Sequence, residues 1–231
     1  MRELLIQGLT ELSLDSTRAE ALEAFARAML QKNEVMNLTR ITEETAVAQL
    51  HLLDSAVLLT LADFKGKRVC DVGTGAGFPG MPLRILEDDF DLVLLDSLDK
   101  RIAWLRQQCE AMGLQRVDCV HARAEEFAAA EKERFDIVSS RAVANLRMLA
   151  ELCLPLVKVG GLFLAMKSVE SDEELHEAEN AIKRLGGTLK KTVDYTIPTS
   201  DVTHRLLIIE KTAPTPKGYP RAFAKIKKSP L

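Results

Sequence analysis

The chain has 231 residues, 47% of them hydrophobic, and a formal net charge of −3. That length holds one large domain plus a small extension with a real core, and the charge gives no overall basic field of the kind that gathers nucleic acid. No apolar run approaches the ~20 residues of a membrane span. The start, Met1-Arg2-Glu3-Leu4, has no apolar signal region, so a cytoplasmic protein is expected. Cys70, Cys109, Cys119 and Cys153 show no C-x-x-C spacing, which predicts buried free thiols. The four histidines do not pair at metal-ligand spacing, so no metal is expected.

Residues 1–63 read as a helical extension. Thr17-x-x-Glu20 has the form of a capping box, and Leu22, Phe25, Ala26, Met29 and Leu30 then fall on one helical face. Gln31 to Thr39 is a polar break. Thr42 is placed to cap a second helix with the stripe Val47, Leu50, Leu53, Val57, Leu58 and Leu61. His51 and Asp54 are i, i+3 neighbours on it and read as structural partners.

From Arg68 short apolar runs alternate with helices, the mark of a parallel sheet covered on both faces. Strands are expected at Arg68–Val72, Asp91–Leu95, Val117–His121, Phe135–Ser139 and Leu162–Met166. Ser97 is placed to cap a helix with the stripe Leu98, Ile102, Leu105, Cys109 and Met112, stopped by Gly113; Trp104 falls off this stripe. Asn145 caps the helix carrying Leu146, Leu149, Cys153 and Leu156, and Ser171-x-x-Glu174 opens another. The runs Thr188–Thr196 and Arg205–Glu210, joined by a polar loop, predict an antiparallel hairpin. The outcome is a seven-stranded, mostly parallel sheet over residues 64–213, followed by a tail, 214–231, that prolines mark as extended. From Lys211 to the end there are six basic residues and no acidic one.

The first strand runs into Asp71-Val72-Gly73-Thr74-Gly75-Ala76-Gly77-Phe78-Pro79-Gly80. Alternating glycines let the backbone turn sharply and approach a ligand, and the following helix start adds a mild positive field. Asp71 can stiffen this loop or face a cationic ligand. Gly75 to Gly80 matches G-x-G-x-x-G, which admits a dinucleotide. The longer D-x-G-x-G-x-G string resembles the first motif of Rossmann-like class I methyltransferases and favours S-adenosylmethionine.

Ligands in open α/β sheets bind at the carboxyl ends of the strands. Asp96, about twenty residues past the glycines, suits ribose hydroxyls. Ala124 and Glu125 suit a flat adenine and its amine, with Arg123 beside them. Arg141 and Lys167 place two cations at the rim as candidate electrostatic or positioning groups. With the basic tail (Arg221, Lys225, Lys227, Lys228) they point to a phosphate-bearing substrate. No amine-orienting motif follows the fourth strand, so a target needing no deprotonation is expected. Guanine N7 is such a target, presented in a loop or splayed out of its helix.

These residues resemble the bacterial small-subunit ribosomal RNA guanine-N7 methyltransferases, the RsmG (formerly GidB, glucose-inhibited division protein B) family. The resemblance rests on Asn37-Leu38-Thr39, His51-Leu52-Leu53-Asp54-Ser55, the glycine loop through Phe78-Pro79-Gly80, and Ser97-Leu98-Asp99-Lys100-Arg101. It continues through Arg123-Ala124-Glu125, Ser140-Arg141-Ala142, Tyr219-Pro220-Arg221 and the terminal Pro230-Leu231. It implies methylation at N7 of one guanine in the decoding-region loop of 16S rRNA, with S-adenosylmethionine as donor; the expected partner is 16S rRNA, as free RNA or within the small ribosomal subunit, and a monomer is the default expectation. It implies cofactor contacts at Gly73, Phe78, Ala124, Glu125 and Arg141; the loop reading adds Gly75, Gly77 and Asp96. Substrate-RNA contacts are expected at Arg123, Lys167, Arg221, Lys225, Lys227 and Lys228. Two features depart from the family pattern: Ser168 follows Lys167, and Ala222-Phe223-Ala224 interrupts the tail. Two rival readings are a NAD-dependent oxidoreductase, for which neither a hydride-handling residue nor a substrate domain is visible, and a non-catalytic ribosome assembly factor on the same fold.

Overall fold

The computed structural model describes residues 1–141 and 144–231. Seven strands form one sheet: β1 (Lys67–Val72), β2 (Phe90–Asp96), β3 (Val117–His121), β4 (Phe135–Arg141), β5 (Val157–Ser168), β6 (Gly187–Thr196) and β7 (Thr203–Lys211). Their order is β3-β2-β1-β4-β5-β7-β6. The pairs β1/β2, β1/β4, β2/β3 and β4/β5 are parallel, while β7 runs antiparallel to both β5 and β6. The strand order therefore reverses between β1 and β4, where an open α/β sheet leaves a crevice at its carboxyl edge.

Successive strand residues point to opposite faces, and both faces are buried. Val69, Leu92, Leu94, Ile137 and Leu164 join one core with the N-terminal helices, whereas Cys70, Val93, Leu95, Val138 and Phe163 join a second core on the other face. Each fully buried side chain of this size contributes about 1.5–3 kcal/mol. The N-terminal layer comprises α1 (Arg2–Glu11), α2 (Ala19–Met36), α3 (Glu44–Val47), a π-helical segment (Ala48–Leu53), α4 (Asp54–Ala56) and α5 (Leu58–Leu61). Helices α6 (Gly80–Leu86) and α7 (Asp99–Ala111) share its core, while α8 (Ala124–Ala130), α9 (Leu146–Cys153), α10 (Asp172–Arg184) and the short α11 (Phe223–Lys228) cover the opposite face.

Several local expectations are corrected. Asp15, not Thr17, supplies the cap before α2, accepting from the Thr17 N–H and hydroxyl. Glu43 replaces Thr42 at the start of α3, its two carboxylate oxygens accepting from the Thr45 and Ala46 N–H groups. The charged side chain reaches both orphan donors. Neither Ser97 nor Ser171 makes a side-chain cap bond; α7 begins after Leu98, which is half exposed. Trp104 is buried and stacks on Phe25 of α2 at 5.9 Å. Helix α7 thus buries a wider face than one sheet-facing stripe because α2 packs against it as well. The tail is not extended throughout, since it ends in α11 with Ile226 fully buried. Asn145 does cap α9, accepting from Met148 N–H at 3.0 Å. Among the described residues no helix is long and apolar enough to cross a membrane.

Candidate active site

The glycine loop leaves the carboxyl end of β1, and Asp71 braces it from beneath. Its Oδ2 accepts from Thr74 Oγ1 at 2.7 Å and from the Gly80 N–H at 3.0 Å; its Oδ1 accepts from Ser139 Oγ at 3.0 Å. Asp71 is fully buried, and burial pushes its carboxyl pKa up against these hydrogen bonds. It stiffens the loop and does not face a ligand. Gly73, Gly75 and Gly77 all have positive φ, of 70°, 59° and 95°. This is the region where a side chain is strained. The loop is held from the β2 side as well: Asp96 accepts from the Gly75 N–H and the Leu98 N–H, both at 2.9 Å, and Arg101 lies 3.5 Å from its Oδ2.

Two cavities meet at this loop. One, of about 360 Å³, is lined by Gly73, Gly75, Phe78, Asp96, Arg101 and Arg141 among others. The second, of about 230 Å³, shares Gly73, Asp96 and Ser97 and continues to Ala124, Glu125 and Phe223. Together they make an elongated trough across the ends of β1, β2 and β4. Its first half is bordered by a polar loop and two guanidinium groups. Its second half ends in largely apolar surface that carries Glu125 and Arg123. A molecule with a charged end, a hydroxylated middle and a flat heterocycle matches that sequence of surfaces, as S-adenosylmethionine does.

The π-helical segment supplies the trough's far wall. Arg141 Nη1 donates to the Leu50 carbonyl at 2.8 Å and to Asp54 Oδ2 at 3.1 Å, and Nη2 donates to His51 Nδ1 at 3.0 Å. That donor assigns the His51 proton to Nε2, which lies 2.9 Å from Thr39 Oγ1. The imidazole stacks on Phe78, centroids 4.5 Å apart, and the Arg141 guanidinium lies over the same Phe78 ring, 5.1 Å from its centroid. Burial, followed by the Arg141 charge, lowers the His51 pKa to about 4, so the ring is neutral near pH 7. Asp54 is fully buried, and its other oxygen accepts from Tyr195 Oη at 2.8 Å and His204 Nδ1 at 2.9 Å. A third cavity, of about 990 Å³, opens beside this cluster and shares His51, Arg101 and Arg141 with the first. It also reaches Lys167, Glu174 and His204.

The structure therefore brings Gly73, Gly75, Phe78, Asp96, Ala124, Glu125 and Arg141 to the trough. Gly77 lies behind it, its Cα facing Met81 and Leu105. The match at Ser140-Arg141-Ala142 reaches Ala142, which lies outside the described residues. The expected RNA contacts are placed unevenly. Arg221 forms an ion pair with the fully buried Glu151, through Nε at 2.7 Å and Nη2 at 2.5 Å, which ties the tail to α9. Lys167 donates to Glu174 Oε1 at 2.7 Å and to the Ala144 carbonyl at 3.0 Å, at the wall of the 990 Å³ cavity. Arg123 pairs with Glu125 at 2.6 Å and lies 3.9 Å from the Phe223 ring centroid. Lys225, Lys227 and Lys228 are exposed on α11. Sequence reasoning missed Arg101, Thr39, Tyr195 and His204, and treated His51 and Asp54 only as partners of each other. Thr39 and Arg101 stand in the quoted blocks Asn37-Leu38-Thr39 and Ser97-Leu98-Asp99-Lys100-Arg101, whereas nothing in the sequence marks Tyr195 or His204. Among the described residues no group of three or more His, Cys, Asp or Glu is arranged to hold a metal.

Solved structures with this architecture include a SAM-dependent methyltransferase from Aquifex aeolicus (TM-score 0.54, 15% identity, 75% of this chain and 97% of that one). Another is NSun6 from Pyrococcus horikoshii (TM-score 0.56, 14% identity, 71% and 52%). At such identities the likeness concerns the fold alone. The fold class is that of the Rossmann-like, class I methyltransferases, with the glycine loop at the usual switch point. The family model described as rRNA small subunit methyltransferase G matches residues 18–203, and the chain belongs to that family. Among its relatives is the ribosomal RNA small subunit methyltransferase G of Lachnoclostridium phytofermentans, 46% identical over 98% of this chain and 96% of that protein. The one from Bacillus velezensis is 42% identical over 99% and 98%.

Proposed function

We propose that this protein transfers a methyl group from S-adenosylmethionine to N7 of a guanine in the decoding-region loop of 16S rRNA, acting on the small ribosomal subunit. The observation that carries this reading is the trough at the β1/β4 switch point opening into the 990 Å³ chamber across Arg141 and His51. A cofactor lying in the trough has its reactive end at the chamber that would take the base. Gly73, Gly75, Asp96, Ala124 and Glu125 would hold the cofactor, which when bound supplies an electrophilic methyl group on a sulfonium.

Guanine N7 carries an exposed lone pair, so no general base is required. The neutral state of His51 and the commitment of Asp54 to three donors agree with a site that positions and does not abstract. Positioning alone supplies a large rate factor when the reacting atoms are held near 3–3.5 Å in line. Phe78 and His51 give a flat, apolar floor. Arg141, oriented by Leu50 and Asp54, would orient the base by donating to one of its acceptors, and Asp54 offsets that cation beside a purine that itself gains positive charge on methylation. Lys167 at the chamber wall suits the base carbonyl or a flanking phosphate. No membrane or metal enters this reading.

The test is methylation of small-subunit RNA lacking this modification by the purified protein and S-adenosylmethionine, followed by borohydride reduction and aniline cleavage. A 7-methylguanosine yields a strand break at one decoding-region guanine, mapped by primer extension. Methyl incorporation without that break would place the methyl group on another atom.

A further inference from the structure

The C-terminal segment is fastened to the catalytic face more firmly than a solvated terminus needs. Arg221 makes a forked pair with Glu151, a carboxylate with no solvent exposure, and its backbone N–H donates to the same carboxylate at 2.9 Å. Four residues further on than Ala222, Ile226 is fully buried in the core beneath α9. At the very end Arg147 donates to the carbonyls of Leu231 at 2.5 Å and Pro230 at 2.8 Å. Between these anchors Phe223 turns inward. Its ring lies over the Arg123 guanidinium at 3.9 Å and forms one wall of the cavity that also holds Ala124 and Glu125. The outward residues of the same short helix are Lys225, Lys227 and Lys228, all exposed.

We propose that the C-terminal segment completes the cofactor site, with Phe223 closing the heterocycle end of the trough, and that RNA phosphates gripping the lysines of α11 hold this wall shut. The inference rests on the methyltransferase reading given above. Arg123 is the pivot: it links Glu125, at the floor of the cavity, to the aromatic ring that covers it. An aromatic ring there offers its face to a flat heterocycle and excludes water from the Glu125 carboxylate. Since Phe223 and the lysines occupy one six-residue helix, phosphate contacts that order the lysines also order the ring. A ligand that favours the closed position at one site must favour it at the other, because coupling free energies are reciprocal.

The test uses the full chain and calorimetric titration with S-adenosylhomocysteine, with and without small ribosomal subunits lacking the modification. Phe223→Ala is expected to weaken cofactor binding about five- to tenfold, the scale of one lost aromatic and cation–π wall. Phe223→Tyr keeps the ring and should bind as the natural chain does. Subunits should tighten cofactor binding at least about fivefold in the natural chain. That gain should vanish in Phe223→Ala. In a Lys225→Gln, Lys227→Gln, Lys228→Gln triple variant, cofactor affinity without RNA should stay unchanged while the gain is lost. Circular dichroism and thermal melting of each variant establish that it is folded. Natural-like affinity in a folded Phe223→Ala variant, or a coupling that survives it, overturns the proposal. Failure of the natural chain to bind S-adenosylhomocysteine at all would instead overturn the methyltransferase reading beneath it.

Discussion

Asp54→Asn is the sharpest probe of the site's internal architecture. Asp54 has no solvent exposure, and each of its oxygens is used: Oδ2 by Arg141, Oδ1 by Tyr195 and His204. Asparagine preserves the shape but replaces one oxygen with an NH₂ donor. If the amide turns its nitrogen to Arg141, two donors face each other across 3.1 Å; if it turns the other way, the donor meets Tyr195 and His204. In the second orientation the Tyr195 hydroxyl and the His204 Nδ1 can turn acceptor, but in either orientation the Arg141 charge loses its counter-ion. Breaking a buried pair costs about 3–5 kcal/mol, and the partial exposure of Arg141 favours the lower end. A loss of about 3 kcal/mol lowers the Tm of a chain this long by about 6–12 °C. Arg141 also loses the partner that aims it, so methyl transfer should fall about 10- to 100-fold at saturating cofactor. Scanning calorimetry and single-turnover methylation read the two effects separately. A Tm within about 2 °C of the natural chain with an unchanged rate would refute the claim that Asp54 holds Arg141 in place.

Three further outcomes follow from the structure. Gly77→Ala puts a Cβ 2.6 Å from Met81 Cγ and 2.9 Å from Leu105 Cδ2 at a φ of +95°; a loss of about 2–3 kcal/mol by denaturant titration is expected, and a neutral result would contradict the packing described for the loop. His51 holds its proton in the unfolded chain near pH 6.5 but in the folded chain only near pH 4. The unfolded state therefore binds more protons between these values, and stability falls by about 3 kcal/mol as pH drops through that window. His51→Gln should remove that part of the acid sensitivity, measured as the difference in unfolding free energy between about pH 7 and pH 4.5; an identical pH dependence in the variant would count against a buried neutral ring. Arg221→Ala strips a fully buried Glu151 of its cation; limited proteolysis should then cut after Lys217 or within α11 well before the sheet domain, and uncut tails would show that the ion pair is not the anchor.

The fold was legible where one face of an element meets one partner. Leu92 to Leu95 is apolar at every position because the sheet is covered on both sides, and the alternation of such runs with helices announces a parallel sheet. Gly73, Gly75 and Gly77 marked the loop after β1 because only glycine adopts their backbone angles without strain. Trp104 was illegible because its partner, Phe25, comes from a helix almost eighty residues upstream, and a single-stripe analysis of α7 leaves no place for it. The site's far wall was hidden for a related reason. His51 and Asp54 look like neighbours of each other on an ordinary helix, yet a π-helical segment and a strand end ninety residues away aim both at Arg141. Capping by Glu43 escaped notice because Thr42 beside it has the higher cap preference, and capping by Asp15 because Thr17-x-x-Glu20 already has the form of a capping box. The prolines of the tail predicted an extended path correctly only to Ala222; beyond it Ile226 finds a core to enter, and a helix forms.

The central claim is tested most directly by nucleoside mass spectrometry of the decoding-region fragment of 16S rRNA. The RNA is taken from cells lacking this gene and analysed before and after incubation, as small subunits, with the purified protein and S-adenosylmethionine. A Gly73→Arg variant serves as the control that cannot admit the cofactor. The account predicts one new 7-methylguanosine with the natural chain and none with the variant. No gain of 7-methylguanosine on subunits or on free RNA, by a protein that binds S-adenosylhomocysteine, would contradict it.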